Sequence, residues 1–295
     1  MTRWLVTGAG GMLGRDLVER IRAAGIEVTA LARPQLDITD ADAVRAAVRG
    51  HDLVINAAAW TDVDGAETAE EQATAVNGHG VANLAAACAQ TGARLVTIST
   101  DYVFDGTASE PYAEDAPTDP INAYGRSKLV GEHAIRDLLP EAGYIVRTAW
   151  LYGAYGANFV RTVLRLAEQR ETIDVVTDQV GQPTWTRQLA ERLVGLGTAA
   201  LAGSAPPGIY HGTASGSTSW YGLARAAYAA TGLDPDRVRP TTSAAFPRPA
   251  RRPAYSVLRH DAWSHAGLAP MPDWHDMLTQ ALADPDLIAS WKTDS

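Results

Sequence analysis

Apolar residues along this 295-residue chain fall into two alternating kinds of run. Short continuous runs read as strands buried on both faces, and longer stretches with apolar residues three and four apart read as helices packed on one side. Arg3 to Thr7 is the first short run and ends in glycines, after which Leu13 to Ala24 has helical spacing and stops at Gly25. The same alternation predicts strands at Glu27 to Ala32, Leu53 to Asn56, Arg94 to Ser99 and Tyr144 to Thr148. Between them it predicts helices over Ala41 to Arg49, about Glu70 to Thr91 and about Asn122 to Leu139. Such an order predicts an α/β fold, a Rossmann-type doubly wound parallel sheet with right-handed crossovers and helices on both faces.

Gly8, Gly11 and Gly14 form G-x-x-G-x-x-G between the first strand and the first helix. Glycines there permit a tight turn, let backbone N–H groups approach a pyrophosphate, and bring the helix close to the sheet. At the end of the second strand Arg33 stands where an NAD binder often has a carboxylate for the ribose 2′-hydroxyl. An arginine there either meets a 2′-phosphate or is a solvated loop charge, so NADPH is the expected cofactor, with NADH as the alternative. Asp37 and Ile38 follow, beside the adenine or as a helix-capping turn. Ala57, Ala58 and Ala59 end the third strand with three small residues, against which a cofactor can lie closely.

After Thr148 the regularity loosens. A helix is predicted near Phe159 to Gln169, a strand at Ile173 to Val176 and a helix near Thr186 to Leu201, and Gly, Pro and aromatics become frequent beyond Pro206. The simplest division is a dinucleotide-binding domain over 1–150, to which 172–202 return, and a smaller C-terminal substrate-binding domain from 151–171 and 203–295.

Composition narrows the partners. A formal net charge of −9 and a pI near 5.2 disfavour nucleic acid and anionic membranes. No charged leader with an apolar stretch opens the chain and no eighteen apolar residues run together, so a cytoplasmic protein is expected. Cys88 is the one cysteine, which excludes an internal disulfide and a cysteine-based zinc site, and the seven histidines lack metal spacing. No catalytic metal is expected. Lys128 and Lys292 are the only lysines among 25 basic residues, so a lysine at 128 is a marked choice.

Tyr124-Gly-Arg-Ser-Lys128 puts a phenol and an ammonium four residues apart, on one helix face. A phenol with a pKa near 10 is a slow proton donor and acceptor around neutrality and gains from a cation that stabilises its anion. Ser99-Thr100-Asp101-Tyr102 follows the fourth strand, and ligands of open parallel sheets bind outside the strands' carboxyl ends. Thr100 can hydrogen-bond a substrate oxygen there.

These motifs, with Asn-Ala-Ala-Ala-x-Thr-x-Val-Asp at 56–64, Val76-Asn77, Ser-Thr-Asp-Tyr-Val-Phe-Asp-Gly at 99–106, Arg147-Thr-Ala-Trp150-Leu-Tyr-Gly153, Asn158-Phe159 and Asp178-Gln179-x-Gly181-Gln182-Pro183-Thr184, run over nearly the whole chain. Together they resemble the dTDP-4-dehydrorhamnose reductase family of extended short-chain dehydrogenase/reductases, close to the dTDP-dihydrostreptose synthases of antibiotic pathways. The resemblance implies reduction of the 4-keto group of a dTDP-linked 6-deoxyhexulose to a secondary alcohol by NAD(P)H. It implies hydride transfer from nicotinamide C4, with Tyr124 protonating the emerging alkoxide. It assigns Lys128 to the nicotinamide ribose and to lowering the Tyr124 pKa, and Gly11, Met12 and Leu13 to the pyrophosphate. Ala57 to Ala59 would meet the adjoining ribose. Thr100 and Asp101 would hold the sugar, with Trp150 and Tyr102 lining its pocket. Arg251 or Arg252 can neutralise the diphosphate or be solvated loop charges. A monomer or a homodimer is expected.

Two rivals stand beside this reading. Sugar-nucleotide epimerases and dehydratases need added acid–base groups, and Asp101-Tyr102 after Thr100 favours simple reduction. A non-catalytic subunit like the regulatory subunit of methionine adenosyltransferase, which resembles the same family, is disfavoured by the joint presence of Thr100, Tyr124 and Lys128.

Overall fold

The protein is described by a computed structural model covering residues 2–293. Strands β1 (Arg3–Thr7), β2 (Glu27–Leu31), β3 (Leu53–Asn56), β4 (Arg94–Thr100) and β5 (Gly143–Thr148) form one sheet with a sixth strand, Gly208–His211. The order is Gly208–His211, β5, β4, β3, β1, β2, and every pair is parallel.

Alternate residues along each strand serve opposite faces. Leu5, Val54, Leu95 and Ile145 pack beneath the Ala41–Val48, Val81–Thr91 and Ala123–Leu138 helices, with Val44, Leu84 and Ile135. Trp4, Val6, Ile55, Val96 and Val146 pack on the other face against Leu17 of the Met12–Ala23 helix and Leu193 of the Thr186–Ala202 helix. Burying each such side chain contributes roughly 1.5–3 kcal/mol, which is why strands sandwiched on both sides read as continuous apolar runs.

β1 pairs with both β2 and β3, so the chain reverses its direction of travel across the sheet between β1 and β3. A crevice opens at such a point beyond the strand ends. A chain of side-chain hydrogen bonds fixes its floor: Thr7 Oγ1 donates to Asn56 Oδ1 at 2.7 Å, and Asn56 Nδ2 donates to Thr97 Oγ1 at 3.0 Å.

The domain division shifts in two places. Ile173–Val176 pairs with Val238–Thr241 in a separate two-stranded sheet, and the Thr186–Ala202 helix packs against the Met12–Ala23 helix. Gly208–His211, assigned to the smaller domain by sequence, instead extends the main sheet beside β5. The cause is non-local: each four-residue strand takes its identity from a partner more than 60 residues away. The two lobes also share one continuous apolar core, which joins Val6 and Leu17 to Leu223, Trp263 and Leu278.

The helix predicted over Glu70 to Thr91 is interrupted. Glu70–Thr74 and Val81–Thr91 are α-helical, and Ala75–Gly80 between them is π-helical. The wider turn presents Asn77, whose Oδ1 accepts from Trp60 N at 2.9 Å and whose Nδ2 donates to Ser127 Oγ at 2.9 Å. One side chain thereby ties the loop after β3 to the Ala123–Leu138 helix. Periodicity alone does not reveal an extra residue in a turn.

Candidate active site

Gly8 opens the turn after β1 with φ +68°, a left-handed conformation that a side chain would strain. A Cβ at Gly14 would meet Gly8 O and Ala9 Cα, so the helix can start this close to the turn only without one. The Gly11 N–H donates to Gly8 O at 3.0 Å, and the Met12–Ala23 helix begins directly after it. Gly11, Met12, Leu13 and Gly14 at its start line the crevice, where a helix N-terminus favours an anion.

A cavity of about 870 Å³ runs from this turn along the strand ends. Its lining includes Gly8, Gly11, Met12, Leu13, Gly14, Arg33, Asp37, Ile38, Ala57, Ala58 and Ala59 at one end. Thr100, Asp101, Tyr102, Tyr124, Lys128 and Trp150 line the other end. Every cofactor-site residue singled out from the sequence therefore borders one space, with Arg33 and Asp37 exposed at its rim. The bare glycine turn at one end and the ammonium at the other fit an extended dinucleotide.

Asn122 starts the Ala123–Leu138 helix, its Oδ1 accepting from Gly125 N at 2.8 Å. Tyr124 stands in the first turn and Lys128 one turn later. The Lys128 Nζ donates to Ile98 O at 2.6 Å, which leaves two N–H donors for a ligand. Burial pulls the Lys128 pKa down to about 8, and Glu132 opposes that fall. Thr100 ends β4. Its hydroxyl donates to Asp101 Oδ1 at 3.1 Å, accepts from Tyr102 N at 3.1 Å, and lies within hydrogen-bonding reach of the Tyr124 phenol. The Tyr102 ring meets that of Tyr124 edge-on at 6.2 Å.

The Tyr124 pKa is raised, not lowered. Burial is the largest cause, the Asp101 carboxylate adds to it, and the Thr100 hydrogen bond works the other way. The expectation that Lys128 depresses it is therefore not met in the protein alone, because Lys128 is tethered to a backbone carbonyl and desolvation dominates. Asp101 is wholly buried and pushed up to about 7, mainly by desolvation.

Trp150 follows β5 with φ +46°, a strained value for a bulky residue. Its indole is held between Trp220 and Gly181, where a Cβ would collide with the ring. Ser219 caps the Trp220–Ala230 helix by accepting from Gly222 N at 3.0 Å, which places Trp220 at its first position. Trp220 borders both this cavity and a second one of about 600 Å³, which Tyr102, Phe159, Arg170, Arg248 and Arg252 also line. Sequence reasoning missed Trp220, since no motif surrounds it.

Arg251 is not brought into either cavity: its side chain is exposed, and its carbonyl accepts from Asn122 Nδ2 at 2.9 Å. Its neighbour faces inward. Arg252 pairs with Asp64 through two contacts of 2.5 and 3.0 Å and hydrogen-bonds Tyr102. Among the described residues no three His, Cys, Asp or Glu stand together in a metal-binding group. No helix there is long and apolar enough to cross a membrane.

The doubly wound sheet, its glycine turn and the Tyr-x-x-x-Lys helix beside β4 define an NADP-dependent oxidoreductase of the extended short-chain dehydrogenase/reductase class. The RmlD substrate binding domain family matches residues 2–286, and the chain belongs to the dTDP-4-dehydrorhamnose reductase family. It is 55% identical to a dTDP-4-dehydrorhamnose reductase of Streptomyces griseus, over 95% of this chain and 92% of that one. It is 53% identical to a dTDP-4-keto-6-deoxy-D-glucose reductase of Streptomyces niveus, over 95% and 96%. A crystal structure of a dTDP-4-dehydrorhamnose reductase from Bacillus anthracis in complex with NADP superposes with a TM-score of 0.90 at 37% identity, covering 96% of this chain and 99% of that one.

Proposed function

We propose that the protein reduces the 4-keto group of a dTDP-linked 4-keto-6-deoxyhexose to a secondary alcohol, using NADPH. The observation that carries this reading is the meeting of the Tyr124 phenol, the Thr100 hydroxyl and the Lys128 ammonium at one end of a cavity whose other end is a glycine turn. When bound, the nicotinamide supplies the hydride for the carbonyl carbon. Tyr124 keeps its proton at neutral pH because burial and Asp101 disfavour the phenolate. It is thus a donor in waiting for the oxygen that gains negative charge as hydride arrives. Thr100 aligns that oxygen, and the free N–H donors of Lys128 serve the cofactor ribose and favour the phenolate once the proton has gone.

Arg33 at the rim suits a 2′-phosphate, which supports NADPH over NADH. The second cavity offers Arg170, Arg248 and Arg252 for a diphosphate and Phe246, 48% exposed, for a base. Trp220 joins it to the reaction site, so one sugar nucleotide can reach across both. A nucleotide-activated sugar and a soluble reductant as substrates support a cytoplasmic reaction.

Incubating purified protein with NADPH and dTDP-4-keto-rhamnose, then identifying the product by NMR, tests the proposal. A six-membered 4-hydroxy sugar supports a rhamnose-type reductase, and a ring-contracted one a dihydrostreptose synthase. Failure to oxidise NADPH with any dTDP-4-keto-6-deoxyhexose would overturn the reading.

A further inference from the structure

Glu132 lies one turn beyond Lys128 on the Ala123–Leu138 helix, with 2% of its side chain exposed, and has no part in the chemistry above. Its Oε1 accepts from Ser99 Oγ at 2.5 Å and from Arg147 Nε at 3.0 Å, and its Oε2 accepts from Arg147 Nη2 at 2.7 Å. Arg147, on β5, is equally buried; it donates to Glu114 O at 3.2 Å and lies over the Phe104 ring at 5.0 Å.

Ser99 stands between Ile98, whose carbonyl holds Lys128, and Thr100. The helix therefore grips the last residues of β4 twice, through Lys128 on Ile98 and through Glu132 on Ser99. Arg147 locks the second grip to β5. A buried ion pair of this kind adds little net stability, since desolvating both charges offsets most of their attraction. Its orientation is another matter: a bidentate guanidinium and a serine together leave the carboxylate one position.

We propose that Glu132 is the positioning residue of this site: it fixes the helix that carries Tyr124 and Lys128 against the strand that carries Thr100, and it sets a carboxylate one helical turn from the Lys128 ammonium. The inference rests on the reduction chemistry proposed above for the role it gives to Lys128. Glu132 is the charged neighbour that sustains the Lys128 charge against burial. Around it, Arg147 faces it from β5, and His211 lies 3.5 Å from Arg147 on the sixth strand. Burial and Arg147 push His211 down to about 3, so it stays uncharged near neutrality. Asp101 and Tyr124 lie on the cavity side.

Because Lys128 and Lys292 are the only lysines, labelling lysine Nζ with ¹⁵N gives two signals, and Lys292→Arg assigns them. In Glu132→Gln the Lys128 titration midpoint is expected to fall by about one pH unit. Turnover should fall about tenfold, with its alkaline limb displaced to lower pH and both KM values within about twofold. Should Arg147, left unpaired, unfold that variant, Glu132→Gln combined with Arg147→Met removes both charges and should lower the Lys128 midpoint as well. Ser99→Ala keeps the ion pair and loses only the grip on β4; it should lower kcat about threefold at an unchanged Lys128 midpoint. An unmoved Lys128 midpoint in the Glu132 variants, with activity falling only as the folded fraction falls, would overturn the proposal. If the unaltered protein reduces no 4-keto sugar, the functional reading fails, and the Lys128 titration still decides the role of Glu132.

Discussion

The indole of Trp150 lies flat on that of Trp220, with ring centroids 3.6 Å apart and planes 10° from parallel. The pair makes one aromatic wall where the two cavities meet, and the Trp220 Nε1 donates to Gln179 Oε1 at 3.1 Å to hold it there. Removing Trp220 frees the strained Trp150 from its support. In Trp220→Ala the KM for the sugar nucleotide should rise about tenfold while NADPH affinity stays within about twofold. Steady-state kinetics with each substrate varied separately reads this, and equal losses for both would argue for general damage.

Tyr124→Phe removes the proton donor and keeps the ring that packs against Tyr102. Turnover should fall by about 10²–10⁴. NADPH fluorescence titration should give nearly the same affinity, and near-normal turnover in this variant would refute the donor role.

Arg33 is the one basic side chain at the cofactor end of the cavity lining. Arg33→Ala should cut kcat/KM with NADPH by about 10–100-fold and leave the NADH value almost unchanged, because only the former has a 2′-phosphate to lose. Equal effects on the two cofactors would remove Arg33 from the site.

A methyl group at Gly14 meets the backbone of Gly8 and Ala9, neither of which can rotate away. Gly14→Ala should therefore weaken cofactor binding by more than about tenfold, as the helix N-terminus is pushed off the turn. Isothermal titration with NADPH checks it, with an unaffected Kd as the contrary result.

Asp16 is buried and accepts from Thr186 Oγ1 at 2.5 Å, joining the Met12–Ala23 helix to the Thr186–Ala202 helix. Burial pushes its pKa up to about 6, so folding takes up a proton. Stability from that proton is complete below about pH 4 and is lost as pH rises through about 6. Asp16→Asn has no such loss. The variant should gain on the original protein between pH 4 and 6 by roughly 1–3 kcal/mol, visible as a growing difference in Tm. A difference that does not change with pH would mean that Asp16 titrates normally when folded.

Tyr124, Lys128 and Thr100 are legible in the sequence because their relations are local: a four-residue helical spacing and the last position of a strand. The glycine turn is legible for the same reason. Arg251 and Arg252 are not separable that way, since adjacent residues in a proline-rich loop point apart and only the Asp64 partner, far off in sequence, decides which faces inward. Trp220 is set by a helix cap and a stack on Trp150, neither of which has a pattern. The rise in the Tyr124 pKa depends on how deeply the phenol is packed, which spacing does not encode.

The strand Gly208–His211 has a bearing on how the chain can be shortened. It covers the outer hydrogen-bonding edge of β5, and it arrives in the chain only after the Thr186–Ala202 helix. A fragment ending at residue 202 would keep the Gly8–Gly11–Gly14 turn and the Tyr–Lys pair, yet leave six consecutive buried residues of β5 as a bare template for another chain. Such a fragment would be prone to self-association, so the nucleotide-binding half cannot be harvested as a free-standing module.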